Sequence, residues 1–185
     1  MNTRIRATFT LVPLLALAAC NLPEPQADTT RHFTLSDPVT AAPVPDATRV
    51  VPVQIPGYLH RREMAVRIAD REVMFLEDVR WAEPLDGAIT QILRARLSSI
   101  GGGAVVNVRI ERCELVRSAG NVVQLAASYT INGSANGKPY AKDGSFSAPA
   151  RNWDGRDYGK LIGLIHEAIS DLGDAIATDL GSPAK

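Results

Sequence analysis

Cysteine, histidine and net charge are all scarce in this chain. Only Cys20 and Cys113 occur among 185 residues, with three histidines and a formal charge of zero. Two cysteines cannot make a disulfide framework or a cysteine-rich zinc site. His32, His60 and His166 are far apart and lack the spacing of metal ligands. Without a basic block, there is no electrostatic case for nucleic acid. No Gly-x-Ser-x-Gly elbow is present. The one glycine run, Gly101-Gly102-Gly103, follows a candidate helix and leads into a candidate strand, which is a helix stop and not a phosphate-binding loop. No internal repeat is found, and no apolar run is long enough to cross a bilayer as a helix. The sequence therefore offers no catalytic residue, no metal ligand and no cofactor site. Asp154, Asp157 and Glu167 read as caps and solvated-face residues, and Cys113 as a small buried strand residue.

What the chain does have begins at its N-terminus. Arg4 and Arg6 form a short basic head, and Ala7 to Leu17 is mostly apolar. Leu17-Ala18-Ala19-Cys20 closes that run with small residues before a cysteine. This is the pattern of a bacterial lipoprotein signal peptide over residues 1–19. Its cleavage would leave Cys20 as the first residue, with diacylglycerol on the thiol and a third acyl chain on the amine. Such chains anchor a protein without any transmembrane helix, at about 0.8 kcal/mol per buried CH₂. Asn21 follows the cysteine, where an aspartate would signal inner-membrane retention. The expectation is a periplasmic protein on the inner leaflet of the outer membrane of a Gram-negative bacterium. Because the signal holds two of the arginines, the remainder is slightly acidic.

Residues 20–30 comprise the lipid-bearing cysteine and a polar, proline-containing tether, which would reach roughly 30 Å when extended. One domain is expected over 31–180, with a short tail at 181–185. Arg31 to Leu35 is a strand candidate. Arg49 to Ile55 alternates Val51, Val53 and Ile55, with Pro52 pointing to an edge or bulge. Met64 to Ile68 and Glu72 to Leu76 form the next strand pair. Leu85, Ala88, Ile89, Ile92, Leu93, Leu97 and Ile100 recur at helical spacing after Pro84.

Val105 to Val116 reads as a strand whose apolar phase changes, which a bulge near Arg112 would repair. A turn at Ser118–Asn121 leads to alternating Val123, Leu125, Ala127, Tyr129 and Ile131. Asn132-Gly133 and Asn136-Gly137 mark the next turn, before a strand over Tyr140–Phe146. A last helix starts near Asp157 with Tyr158, Leu161, Ile162, Ile165, Ile169, Leu172 and Ile176 as its stripe. Its opposite face carries Lys160, Glu167, Asp171, Asp174 and Asp179. The fold class is α+β, a single domain whose mixed, largely antiparallel sheet is packed by two amphipathic helices.

Particular strings resemble a known family. Val51-Pro52-Val53-Gln54-Ile55-Pro56-Gly57-Tyr58-Leu59 is similar to a characteristic segment of the ABC-type transport auxiliary lipoproteins, the PqiC family. Arg67 falls where that pattern has an arginine. Trp81-Ala82-Glu83-Pro84-Leu85 resembles the family's string at the start of its helix. His32-Phe33 stands where a tyrosine pair is usual, and His60 where an aspartate is. The resemblance implies a role in transporting lipids or hydrophobic compounds across the envelope. It implies a periplasmic MCE-domain protein as partner, an ABC permease and ATPase in some systems, and a homo-oligomer as the docking piece at the outer membrane. Tyr58, Leu59, Arg61 and Trp81 are the candidate partner-binding residues: aromatics beside a charge suit a protein interface. The competing readings are that Tyr58 packs under its own loop and that Trp81 staples the helix entry against the core. Two other functions compete with this non-enzymatic reading. One is a lipid-tethered periplasmic enzyme, and the other is a pilotin or chaperone for a different envelope complex.

Overall fold

The computed structural model describes residues 27–35 and 44–181. The signal peptide, Cys20, most of the tether, most of the 36–48 loop and residues 182–185 lie outside the described residues. Among the described residues, eight strands form one mixed sheet. In chain order they are β1 (Arg31–Phe33), β2 (Arg49–Val50), β3 (Glu63–Ala69), β4 (Glu72–Trp81), β5 (Val105–Val116), β6 (Val122–Ala135), β7 (Lys138–Ser147) and β8 (Arg151–Asn152). Helix α1 (Leu85–Leu97) separates β4 from β5, and α2 (Tyr158–Gly181) ends the chain. The main order is β1-β4-β3-β5-β6-β7. The expected α+β domain is thus observed.

The meander β5-β6-β7 is antiparallel throughout. Its first turn places Gly120 and Asn121 at φ 84° and 60°, and its second places Asn136 and Gly137 at φ 54° and 74°. The second is a two-residue turn, Asn136-Gly137 between paired Ala135 and Lys138, and positive φ at both central residues twists it as a hairpin requires. The first is a five-residue connection, Arg117–Asn121, closed by the Gly120 N–H donating to the Arg117 carbonyl at 3.0 Å. The expected bulge in β5 falls between Ile110 and Arg112. It brings Val106, Val108 and Ile110 into one buried set with Cys113 and Leu115. Helices α1 and α2 pack on each other, and α2 packs on β6 and β7. The side of the sheet away from them carries exposed Asn107, Arg109 and Glu111.

Several expectations change. Helix α1 stops at Leu97, which leaves Ile100 beyond its end, and β4 runs past Leu76 to Trp81. Asn132-Gly133 is no turn, because both residues lie within β6. A Cβ on Gly133 would come within 2.6 Å of Tyr140 Cζ on the facing strand. The Arg49–Ile55 strand shrinks to two ladder residues plus a bridge at Gln54. Pro52 has no N–H to give, and the Val53 N–H donates to Thr90 Oγ1 of α1 at 3.0 Å. Arg94 Nε likewise donates to the Val50 carbonyl at 3.1 Å, so α1 seals that sheet edge. Finally, the far face of α2 is tied down. Asp171 pairs with Arg151, Asp174 with Arg96, and Asp179 with Lys142.

Asp179 also accepts a hydrogen bond from the Tyr129 hydroxyl at 2.7 Å. Tyr129 reaches it because it faces Gly144 on β7, where any Cβ would overlap the phenol ring. Gly144→Ala is expected to destabilise the domain by about 1–3 kcal/mol through overpacking. The urea midpoint measures this, and a midpoint equal to wild type would refute the packing described here.

Candidate functional site

Strand β5 has one edge paired with β6, and two segments share the other. The 49–54 segment follows it as far as the Gln54–Arg109 bridge, and β3 joins at Leu115 and Val116. Between them lies the short 3-10 helix Gly57–His60. Pro56 starts the turn at φ −59°, and its carbonyl accepts the Leu59 N–H at 3.0 Å. The turn plugs the gap in the sheet and is held on both sides.

Leu59 points into the core, with 4 % of its surface exposed. Tyr58 points the other way, toward Glu114 and Arg67. Glu114 pairs with Gln124 across β6, so alternation sends it to the side away from the helices. It is buried nonetheless, its side chain having no exposed surface, while that of Arg67 keeps 12 %. Arg67 Nε donates to Glu114 Oε1 at 2.5 Å. That bond, more than any other interaction, holds the Arg67 guanidinium in its charged form. Burial, and then the charge of Glu114, pushes the Tyr58 phenol up to about 12.

The rim of the turn is basic. His60, Arg61 and Arg62 are exposed. Arg61 lies over the Phe75 ring at 4.3 Å and pairs with Glu63 at 3.3 Å. A cation over an aromatic face is held by the ring quadrupole, so this guanidinium is presented in a defined place. An open groove of about 690 Å³ runs beside the turn, lined by Gln54, Ile55, Pro56, His60, Arg109 and Glu111 among others.

The four candidate docking residues therefore part company. Arg61 is at the surface, Tyr58 is half-buried with its hydroxyl underneath, and Leu59 and Trp81 are core. Trp81 ends β4, paired with Phe33 of β1, and its N–H donates to the Arg62 carbonyl at 2.8 Å. With 5 % exposure it has too little surface to anchor a partner. Neither Leu59 nor Trp81 can reach another protein in this fold. Glu114 and Phe75 were not legible as members of the site. The available signal was an acid inside the apolar run Cys113-Glu114-Leu115-Val116, since a buried charge needs a partner.

The remaining reactive side chains do not converge. The Cys113 thiol is pushed up to about 12 by burial and by Glu114, which suppresses the thiolate. Asp154 accepts hydrogen bonds from the Arg156 and Asp157 N–H groups and so holds the turn before α2, while Asp157 accepts from the Gly159 N–H and caps the helix. Among the described residues no group of His, Cys, Asp and Glu could hold a metal ion, and no helix is long and apolar enough to cross a membrane. The arrangement around the turn is equipped for contact.

The family model of the ABC-type transport auxiliary lipoprotein component matches residues 33–177. The fold is similar to the crystal structure of an uncharacterized protein, with a TM-score of 0.62 and 15 % identity, covering 83 % of this chain and 99 % of the other. It is also similar to a Xanthomonas campestris protein of the DUF330 family, with a TM-score of 0.58 and 13 % identity, covering 80 % and 92 %. No curated protein matches the chain.

Proposed function

The chain belongs to the family of ABC-type transport auxiliary lipoproteins, and on that premise we propose that it is the docking subunit of an MCE-type lipid transport system. In this reading it has no enzymatic step. Lipid on Cys20 holds it to the periplasmic face of the outer membrane, and residues 21–30 let the domain stand off. The domain, as a homo-oligomer, receives the periplasmic MCE-domain protein, whose ABC permease and ATPase lie at the inner membrane. The observation that carries the docking role is the rigid basic turn, plugged into the sheet by Leu59 and Tyr58 and presenting Arg61 on Phe75.

Arg61→Ala tests it. Arginine is enriched among interface residues that contribute about 2 kcal/mol or more, equivalent to roughly thirtyfold in affinity. The expected result is an unchanged melting temperature and strongly reduced recovery of the MCE-domain protein from solubilised envelopes, read by mass spectrometry. Failure of the wild-type protein to recover an MCE-domain protein would refute the partner. Equal recovery by wild type and Arg61→Ala would refute the surface.

A further inference from the structure

Glu114 sits where an acid is costly. Oε1 accepts from Arg67, whereas Oε2 is buried and accepts no hydrogen bond. An ionised carboxylate has about four acceptor sites, and a buried oxygen left without a donor destabilises the fold. The Tyr58 hydroxyl is buried and unpaired as well. It lies near enough to Glu114 and Arg67 to interact with both side chains, but not in the geometry of a full hydrogen bond with either. Its acidity is suppressed, so it stays a donor. One orphaned donor therefore faces one orphaned acceptor, across the joint between the 3-10 turn and β5. The charged and titratable groups that bear on this pair are Arg67 from β3 and Cys113 from β5. Cys113 belongs to the helix-facing set with Leu115 and offers no competing donor there.

We propose that Tyr58 and Glu114 form a latch: a small closing movement of the turn joins the hydroxyl to Oε2, and that bond fixes the turn against β5 and with it the place where Arg61 is shown. Glu114 is then a positioning residue. It touches no partner, and its effect on docking, if the docking reading above holds, passes through the turn. Replacing a buried ion pair by apolar side chains is often neutral or stabilising, so stability alone is a weak reason for an acid here. A fixed geometry is the better one. Leu59 grips the same turn from the core side, so losing the latch loosens the turn without releasing it.

Tyr58→Phe removes the hydroxyl and keeps the ring. Hydrogen–deuterium exchange on the full-length protein in detergent should show amides 57–62 exchanging about tenfold faster, the worth of one net hydrogen bond. The β5–β6 amides should keep their wild-type rates. Glu114→Gln should also speed exchange at the turn, and the double variant should exchange no faster than the faster single one. Wild-type exchange at the turn in Tyr58→Phe, additive effects, or equal acceleration across β5 and β6 would each overturn the latch. If Glu114→Gln does not fold, Tyr58→Phe decides the matter alone. The two readings fail separately. A loosened turn in Tyr58→Phe with full partner recovery by Arg61→Ala removes the turn as docking surface and keeps the latch. An unchanged turn with lost recovery by Arg61→Ala does the reverse.

Discussion

Cys20→Ser is expected to abolish attachment to the outer membrane while leaving the folded domain intact. The effect should be large because, on the proposed reading, lipid alone holds the chain to the bilayer. A single myristoyl chain binds marginally, at about 0.8 kcal/mol per buried CH₂, and two signals already make a stable anchor. Serine cannot form the thioether, so every one of these chains is lost together. Nothing else supplies a span: among the described residues no helix is long and apolar enough. Cells fed a fatty-acid probe should label the wild type and not the variant, and the variant should be missing from floated outer membranes. Label on the variant, or its continued flotation there, would refute the lipoprotein anchor. The domain's melting temperature should be unaffected, since the first described element, β1, starts at Arg31, eleven residues after Cys20.

Ile169→Ala should lower unfolding free energy by about 2–5 kcal/mol. Ile169 has no exposed surface and lies mid-stripe on α2, among Leu161, Ile165, Leu172 and Ile176. That stripe is the surface on which α2 meets β6 and α1. Truncation there removes three buried carbons and leaves a hole that rigid neighbours close only in part. Gln91→Ala is the matched control, because Gln91 is exposed on α1; a change below about 0.5 kcal/mol is expected. Asp171 would be a poor control despite its place on the far side of α2, given its pair with Arg151. Denaturant midpoints for Ile169→Ala and Gln91→Ala that agree would contradict the orientation of α2.

The long periodic elements were readable because burial imposes a period. The stripe of α2 and the alternation of β6 both announce their buried faces, and the phase slip in β5 located its bulge. The failures share a cause: each depends on a contact across the fold that the local residue pattern does not encode. Gly133 reads as turn chemistry after Asn132, yet it serves as the bare patch on which Tyr140 of β7 lies. The 49–55 segment alternates like a strand, but the Val53 N–H is taken by Thr90. Two-residue β8 has no period to detect. At the candidate site, Tyr58, Leu59, Arg61 and Trp81 were singled out as side chains suited to contact. Local sequence could not tell which of them would face inward. Glu114 became part of the site only when β3 and β5 came together.

The pairings of the sheet also differ in how much chain each must gather. β5, β6 and β7 meet across turns of a few residues, so their ladders close small loops. The parallel pairs are another matter: Arg31 must find Val79, Arg49 must find Val105, and Val66 must find Leu115. Loop-closure entropy rises with the length enclosed, and contacts distant in sequence slow folding. The β3–β4 hairpin and the β5–β6–β7 meander can thus each assemble from sequence neighbours, whereas β1 and β2 must be fitted onto strands that come much later in the chain. Ribosomes make the chain in the opposite order, so the residues made first are among the last to settle.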